Sequence, residues 1–377
     1  MSCSSPPPTL LLGPTGSGKS NAILSLAQKS PLHIICGDAL QLFKGLSILT
    51  AQPSDVDKKQ VPHALYEHLP PHAPLYDAAR FVTICQKTIH TVEKQGQLPI
   101  VVGGTGFYLK ALLEGLPDMP AVSSDILENL ENTPTADLWK QLMECDPCAA
   151  EKLNPHDRQR LLRALSLNLE TQKPLSYWHQ RSKTRPTFAF RVIVLLPEPE
   201  ILKQHITLRF QKMWKEGVID EVVHFANTYL QNNETTAQSA HVSKPLEPFS
   251  FAPLKPSSPS PSSSPKEKES FFDLHTALTL KTKGLKEALI QQKGLFKAWP
   301  AITRALGFTE IVAAHKGLLS YHDAQQIMLT RTLQYAKRQR TWIRHQVTPQ
   351  HVFTSATDLE KSNILSRNAR NKQLKRT

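Results

Sequence analysis

The chain has 377 residues, with 45 Lys and Arg against 32 Asp and Glu, a formal net charge of +13 and 40% hydrophobic residues. This length suffices for a well-buried core and indicates two domains, or one domain with insertions, while the positive charge favours a polyanionic partner such as nucleic acid. No apolar stretch approaches the ~20 residues of a membrane helix, the start lacks the pattern of a secretory signal, and the cysteines form no disulfide framework. We therefore expect a cytoplasmic protein that does not enter a membrane.

Four short apolar runs, each bounded by Gly or Pro, predict buried strands at 10–12, 33–36, 98–102 and 191–196. Helical patterns lie between them, for example at 19–29 and 77–94. Strands that alternate with helices predict an α/β fold with a mostly parallel sheet, in which ligands bind at the carboxyl ends of the strands.

Composition changes along the chain divide it into six segments. Seven prolines and many serines between Lys244 and Lys266 predict a disordered stretch that cannot build a packed core. Further on, Ser320 and Asp323 resemble a capping box that starts a basic helix running to about Arg344. The predicted segments are the first part of the α/β core (1–118), a helical insertion (119–190), the continued core (191–230), a Pro/Ser-rich low-complexity insertion (231–297), the C-terminal helices of the core (298–348) and a basic tail (349–377).

The first predicted strand leads into GPTGSGKS, a GxxxxGK[ST] loop followed by a helix. In such a loop the glycines let backbone N–H groups point at phosphate oxygens, and the helix adds its positive end. Lysine supplies a mobile charge and the following hydroxyl can hold Mg²⁺. The predicted diphosphate- or nucleotide-binding residues are Gly13, Pro14, Thr15, Gly16, Ser17, Gly18, Lys19 and Ser20, with Ser20 also the predicted metal ligand.

The acids around this loop are few. A nucleotide hydrolase should have a second strand that ends in Asp, to hold Mg²⁺ and position water. The run 98–102 ends instead in Gly103-Gly104-Thr105, and only the run 33–36 leads to an acid, Asp38. An Asp in this position can also be a simple helix cap.

The phosphate loop, the carboxylate of Asp38 and the Gly-rich loop with Thr105 together suit a reaction in which diphosphate is the leaving group. Such a reaction needs cations on the departing oxygens, a hydrogen-bond donor near the scissile oxygen and an acceptor for the proton of the nucleophile. Lys19 with Mg²⁺, Thr105 and Asp38 can fill these three roles. A small-molecule kinase that uses ATP, and a non-catalytic RNA-binding protein with the same fold, remain alternatives.

With these motifs the chain resembles the bacterial-type tRNA dimethylallyltransferases, the tRNA adenosine isopentenyltransferase family. The resemblance covers residues 9–345 apart from the Pro/Ser-rich insertion, and it implies a P-loop NTPase-like core with a parallel sheet plus a helical insertion domain that binds tRNA. The stretches that carry it are 13–20, 37–41, 49–53, 61–63, 98–109, 154–165, 307–310 and 330–344, in this order.

The resemblance implies transfer of a dimethylallyl group from dimethylallyl diphosphate to N6 of the adenosine 3′-adjacent to the anticodon in tRNA. It implies Mg²⁺ as cofactor, the anticodon stem-loop as partner and a monomer. Asp38 would take the proton of N6, and Thr105 would contact the bridging oxygen of the diphosphate. The basic helix 331–344 would lie near the substrates or the tRNA backbone. The alternative is that its charged side chains only form a solvent-exposed surface. The implied tRNA-binding residues are Asp38, Ala39, Leu40, Gln41, Gln159, Arg160, Leu161, Leu162 and Arg163.

Several positions depart from the family pattern, although none is a residue assigned to the chemistry. Ala39 stands where the family usually has Ser, and Ser166 where it usually has Glu. Phe308-Thr309 replaces Tyr-Lys, and Ala64 replaces a His. These departures put the rate and the tRNA preference in doubt.

Overall fold

The structure, a computed structural model, describes residues 6–181, 186–237, 300–362 and 364–365, with side chains of 229–237 excepted. A six-stranded parallel sheet with the order β3-β2-β4-β1-β5-β6 organises these residues. The strands are β1 (Thr9–Leu12), β2 (Leu32–Cys36), β3 (His63–Ala64), β4 (Leu98–Gly103), β5 (Arg191–Leu195) and β6 (His351–Phe353).

The register of the three central strands brings their carboxyl ends level. Leu12 at the end of β1 pairs with Gly103 at the end of β4, and Val102 pairs with Cys36 at the end of β2. The loops that follow β1, β2 and β4 therefore lie side by side at one edge of the sheet, where ligands bind in parallel α/β folds.

Several helices of the described residues begin at a side-chain cap. The side chain of Asp77 accepts the N–H of Arg80 at 2.7 Å, and the hydroxyl of Ser320 accepts the N–H of Asp323 at 3.0 Å. The helices of the described residues are α1 (Lys19–Ala27), α2 (Ser47–Thr50), α3 (Asp55–Gln60), α4 (Ala78–Lys94), α5 (Gly106–Glu114), α6 (Ser124–Glu131), α7 (Thr135–Cys145), α8 (Pro147–Ala150), α9 (Arg158–Thr171), α10 (Leu175–Gln180), α11 (Pro199–Lys215), α12 (Val218–Ala237), α13 (Phe308–His315), α14 (Tyr321–Gln346) and α15 (Ala356–Lys361), with a 3₁₀ turn at Ala301–Arg304.

Alternation along the strands builds a core on each face of the sheet. In β1, Leu10 and Leu12 pack on one face with α4, α5 and α11–α14, whereas Leu11 packs on the other with α1 and α15. The segment α6–α10, which we call the helical unit, closes a third core of its own around Leu138, Leu142 and Leu161. The sheet thus lies between two packed layers.

The four strands predicted from the sequence are confirmed, as is the parallel α/β fold. One boundary is wrong: residues 349–362, assigned to a basic tail, contribute β6 and α15 to the core, where β6 pairs with β5 and Leu359 is fully buried. Most of the Pro/Ser-rich insertion lies outside the described residues. No helix in the described ranges combines the length and the apolarity that a membrane span requires.

Candidate active site

The loop between β1 and α1 has the backbone of a phosphate cradle. Gly16 (φ +77°) and Gly18 (φ +89°) adopt left-handed conformations that other residues rarely take. A Cβ atom on Gly16 would lie 2.6 Å from Ile206 of α11, and one on Gly13 would lie 2.5 Å from the carbonyl oxygen of Leu195. The loop therefore packs directly on β5 and α11, and this close packing requires glycine.

Lys19 lies folded along this loop. Its Nζ atom donates to the carbonyl oxygens of Gly13 and Pro14 at 2.7 and 2.8 Å. Burial lowers the pKa of Lys19 to about 8, with the nearby Arg209 adding to the effect and Asp38 opposing it. The ammonium group is a poorly solvated cation that a bound anion would stabilise.

Arg209 of α11 is a second cation at the phosphate loop, and the sequence analysis missed it. Its guanidinium donates to the hydroxyl of Thr15 at 3.0 Å. Burial lowers the pKa of Arg209, and the charge of Asp38 opposes that shift. Nothing in the local sequence distinguishes this residue from Lys203 or Lys212 on the same helix, because its position depends on how α11 packs.

Asp38 follows β2 and faces both cations. One carboxylate oxygen accepts the N–H of Leu40 at 3.1 Å. Burial raises the pKa of Asp38 above its ordinary value, while the Leu40 N–H, Lys19 and Arg209 oppose the rise. A carboxylate in this balance is a stronger proton acceptor than one on the surface.

Thr105 follows β4 and contacts the Asp38 loop. Its Oγ1 atom accepts the N–H of Ala39 at 3.0 Å. The two loops are so close that a Cβ atom on Gly103 would collide with the carbonyl oxygen of Gly37. Because the Thr105 oxygen is already an acceptor, its hydroxyl hydrogen can be directed at a second acceptor.

Gln339 of α14 joins the phosphate loop to the Thr105 loop. Its side-chain oxygen accepts the N–H of Thr15 at 2.9 Å, and its amide nitrogen donates to the carbonyl of Gly104 at 2.9 Å. One turn further, the ring of Trp342 packs where a Cβ atom on Gly106 would lie at 2.6 Å. The helix α14 therefore closes the site through an amide and an aromatic ring, which the sequence analysis had not singled out.

The cations of α14 divide into two groups. Arg331 pairs with the buried Glu310, and Arg340 donates to the carbonyl of Pro197 and pairs with Glu198 at 3.6 Å. These two hold neighbouring elements together. The remaining cations of this stretch are exposed and can reach a polyanion: Lys337, Arg338 and Arg344.

The predicted RNA-contacting residues fall in two places. Asp38, Ala39, Leu40 and Gln41 are part of the site at the sheet edge, whereas residues 159–163 lie on α9 in the helical unit. Gln159, Arg160 and Arg163 are exposed, Leu162 is half-buried and Leu161 is fully buried. The side chain of Leu161 therefore packs the core of the helical unit, and RNA contacts along α9 stay a prediction.

The donors available for Mg²⁺ are oxygens and are few. The Ser20 side chain is exposed at the first turn of α1, and Asp38 is the nearby carboxylate. Nowhere in the described ranges do three or more His, Cys, Asp or Glu form a group that could hold a metal ion. This donor set fits Mg²⁺, which keeps several waters and binds through few protein oxygens together with phosphate oxygens.

A parallel sheet with a GxxxxGKS loop between β1 and α1 places the protein in the P-loop class of α/β folds. The family model of the IPP transferases matches residues 41–248 and 279–346, and the chain belongs to this family. The resemblance inferred from the motifs is thereby confirmed.

Two relatives support this assignment, and one solved structure shares the fold. The chain is 30% identical over 342 residues to the tRNA dimethylallyltransferase of Zymomonas mobilis, covering 90% of this chain and 88% of that one. It is 39% identical over 234 residues to the tRNA dimethylallyltransferase of Azorhizobium caulinodans, covering 60% and 74%. A crystal structure of a eukaryotic dimethylallyltransferase acting on tRNA shares the fold with a TM-score of 0.65 at 24% identity, covering 97% of this chain and 78% of that one.

Proposed function

We propose that this protein transfers a dimethylallyl group from dimethylallyl diphosphate to N6 of the adenosine 3′-adjacent to the anticodon in tRNA, and releases diphosphate. The observation that carries the proposal is the meeting of Lys19, Asp38 and Thr105 at the level carboxyl ends of β1, β2 and β4. Membership of the family, and relatives named tRNA dimethylallyltransferase, support it.

The phosphate loop takes the diphosphate end of the donor. The loop N–H groups, Lys19 and Arg209 offset its negative charge, and charge on the leaving oxygens grows as the carbon–oxygen bond breaks. The Ser20 hydroxyl would hold Mg²⁺, which supplies further positive charge to the diphosphate when bound. Thr105 donates its hydroxyl hydrogen to the bridging oxygen, since its own oxygen already accepts the Ala39 N–H.

Asp38 acts on the nucleophile. The new bond joins N6 of adenine to the first carbon of the dimethylallyl group, and the proton that N6 loses passes to the Asp38 carboxylate. An adenine stacked in the anticodon loop cannot reach this position, so the base must leave the stack. The exposed cations of α14 and the net charge of +13 suit an RNA backbone.

A kinase that uses ATP is not favoured. β4 ends in Gly103 and leads to Thr105, where a nucleotide hydrolase has an Asp. A non-catalytic RNA-binding role is also less well supported, because each of the three groups that the transfer needs is present.

The test is incubation of the purified protein with unmodified tRNA, Mg²⁺ and dimethylallyl diphosphate, followed by nuclease digestion and mass spectrometry for prenylated adenosine. A parallel reaction contains a tRNA whose target adenosine is replaced by guanosine. Product in the first reaction and none in the second supports the proposal. ATP turnover without prenylation would support the kinase instead, and RNA binding without either would support the non-catalytic protein. Light scattering would test the expected monomer.

A further inference from the structure

Glu221 of α12 holds the short helix α2 from outside the site. Its two carboxylate oxygens accept the N–H groups of Ile48 and Leu49 at 2.8 and 2.9 Å. Hydrogen bonds to a charged acceptor are about twice as strong as neutral ones, and here both oxygens are used. Burial raises the pKa of Glu221, while these two N–H groups oppose the rise and favour the charged carboxylate. One side chain of α12 therefore holds the N-terminal end of α2.

The other end of α2 is tied to Gln41. The amide nitrogen of Gln41 donates to the carbonyls of Thr50 and Ala51 at 2.9 and 2.8 Å. Gln52 returns the contact, because its amide nitrogen donates to the carbonyls of Gln41 and Phe43 at 3.1 and 3.0 Å. We call this reciprocal arrangement the glutamine clasp.

The backbone inside the clasp is strained. Ala51 has φ +52°, a left-handed conformation that a residue with a side chain adopts only when its surroundings impose it. The N–H groups of Ala51 and Gln52 close this turn on the carbonyls of Ile48 and Ser47, and the bonds from Gln41 and Glu221 hold α2 at its two ends. Loss of either one would let this segment relax.

The clasp lies next to the residues assigned to the adenosine. Gln41 is three positions from Asp38, and the segment between them includes Ala39, which contacts Thr105. The diphosphate side has a different support, since Gln339 holds Thr15 and Gly104. The bond from Ala39 to Thr105 joins the two halves of the site, and otherwise different side chains support each half.

We propose that Glu221 is a positioning residue for the RNA substrate, acting through α2 and the glutamine clasp on the segment from Asp38 to Gln41. The inference rests on the proposed function for the identity of that substrate. On this inference, Glu221 affects the binding of tRNA and does not affect the binding of the diphosphate.

The test compares Glu221→Gln and Glu221→Asp with the matched control Asp220→Asn, which changes the exposed neighbour on the same helix. Glu221→Gln keeps the size but turns one acceptor into a donor that faces an N–H group. We expect KM and Kd for tRNA to rise about tenfold or more, because a hydrogen bond to a charged group is lost. Glu221→Asp keeps the charge and should recover part of the affinity.

The affinity for Mg²⁺-pyrophosphate, measured by calorimetry, should stay within about twofold in both variants, as in the Asp220→Asn control, because the phosphate loop is supported separately. Unchanged tRNA constants in both Glu221 variants, or a parallel loss of pyrophosphate affinity, would overturn the inference. If Glu221→Gln fails to fold, the same two affinities measured on Glu221→Asp test the inference. If the unmodified protein yields no prenylated adenosine, the proposed function has failed, and the tRNA-binding measurement still decides the role of Glu221.

Discussion

The backbone N–H of Ala39 donates to the side-chain oxygen of Thr105 at 3.0 Å. This bond joins the loop after β2 to the loop after β4, and it uses only the backbone of residue 39. The replacement of the usual serine by Ala39 therefore leaves the orientation of the Thr105 hydroxyl intact. The departure at residue 39, which at the level of sequence bears on rate and tRNA preference, thus spares this contact.

Thr105→Val tests the donor to the leaving group. Valine keeps the shape but has no hydroxyl, so the bridging oxygen loses its donor and the Ala39 N–H loses its acceptor. We expect the single-turnover rate of transfer to fall on the order of 10²-fold or more, while Thr105→Ser keeps most of the rate. Equal rates for the valine and serine variants would contradict the assigned role.

Asp38→Asn tests the proton acceptor. The amide is nearly isosteric but cannot take a proton, and we expect kcat to fall on the order of 10²–10⁴-fold with tRNA affinity nearly unchanged. Because burial raises the pKa of Asp38, the unmodified protein should lose activity on the acid side at a pH above the ordinary value of 3.8. Normal turnover with a large loss of tRNA affinity would show that Asp38 binds RNA and is not the base.

The lowered pKa of Lys19 predicts that the affinity for pyrophosphate falls at alkaline pH. Its pKa is lowered to about 8, so the unliganded protein loses this cation as the pH rises through about 8. Pyrophosphate affinity should fall over that interval, and binding above it should take up protons. In Lys19→Arg the charge persists and this decrease should disappear, even if affinity at pH 7 is lower. A similar decrease in both proteins would assign it to the ligand.

Gln339→Leu tests the connection between the phosphate loop and the Thr105 loop. The change leaves the Thr15 N–H and the Gly104 carbonyl without this partner, and each unsatisfied group costs about 1–3 kcal/mol. We expect a higher KM for dimethylallyl diphosphate and a lower melting temperature. Gln326→Leu, an exposed position on the same helix, is the control and should change neither.

Arg331→Met tests whether a cation of the basic helix α14 stabilises the fold. Glu310 is 1% exposed and pairs with Arg331, so the substitution leaves a buried carboxylate without its cation. We expect the free energy of unfolding in urea to fall by about 3–5 kcal/mol, and adding Glu310→Gln should recover part of it. Arg344→Met, at an exposed position, should leave stability unchanged and is the matched control.

The strands that the sequence analysis found share one property. Each is a short apolar run between Gly or Pro, as in Leu10 to Leu12, and such runs are typical of strands buried on both faces. The sequence analysis missed β3 and β6, which have only two and three residues and are the outermost strands of the sheet. Their pairing comes from backbone hydrogen bonds and needs no apolar run. For β6, the prediction of a basic tail depended on the six Lys and Arg residues of 361–377, and extending that tail back to 349 hid the strand.

The sequence predicted those residues of the candidate site that directly follow a recognisable strand. Lys19, Asp38 and Thr105 each follow a recognisable strand, so their convergence could be inferred before any coordinates. Arg209 and Glu221 could not be found in this way. Each lies on an ordinary helix, and only the packing of α11 and α12 brings Arg209 to the phosphate loop and Glu221 to the neighbouring helix α2. Residues that reach their partners only through the packing of helices leave no recognisable pattern in the local sequence.

The independent core of the helical unit has an evolutionary consequence. Because α6–α10 bury Leu138, Leu142 and Leu161 among themselves, substitutions that reshape the outer side of α9 need not disturb the strands. The unit can diverge at little risk to the residues at the carboxyl ends of β1, β2 and β4. On the prediction that α9 contacts RNA, a lineage can change which RNAs it accepts while the residues that follow these strands stay the same.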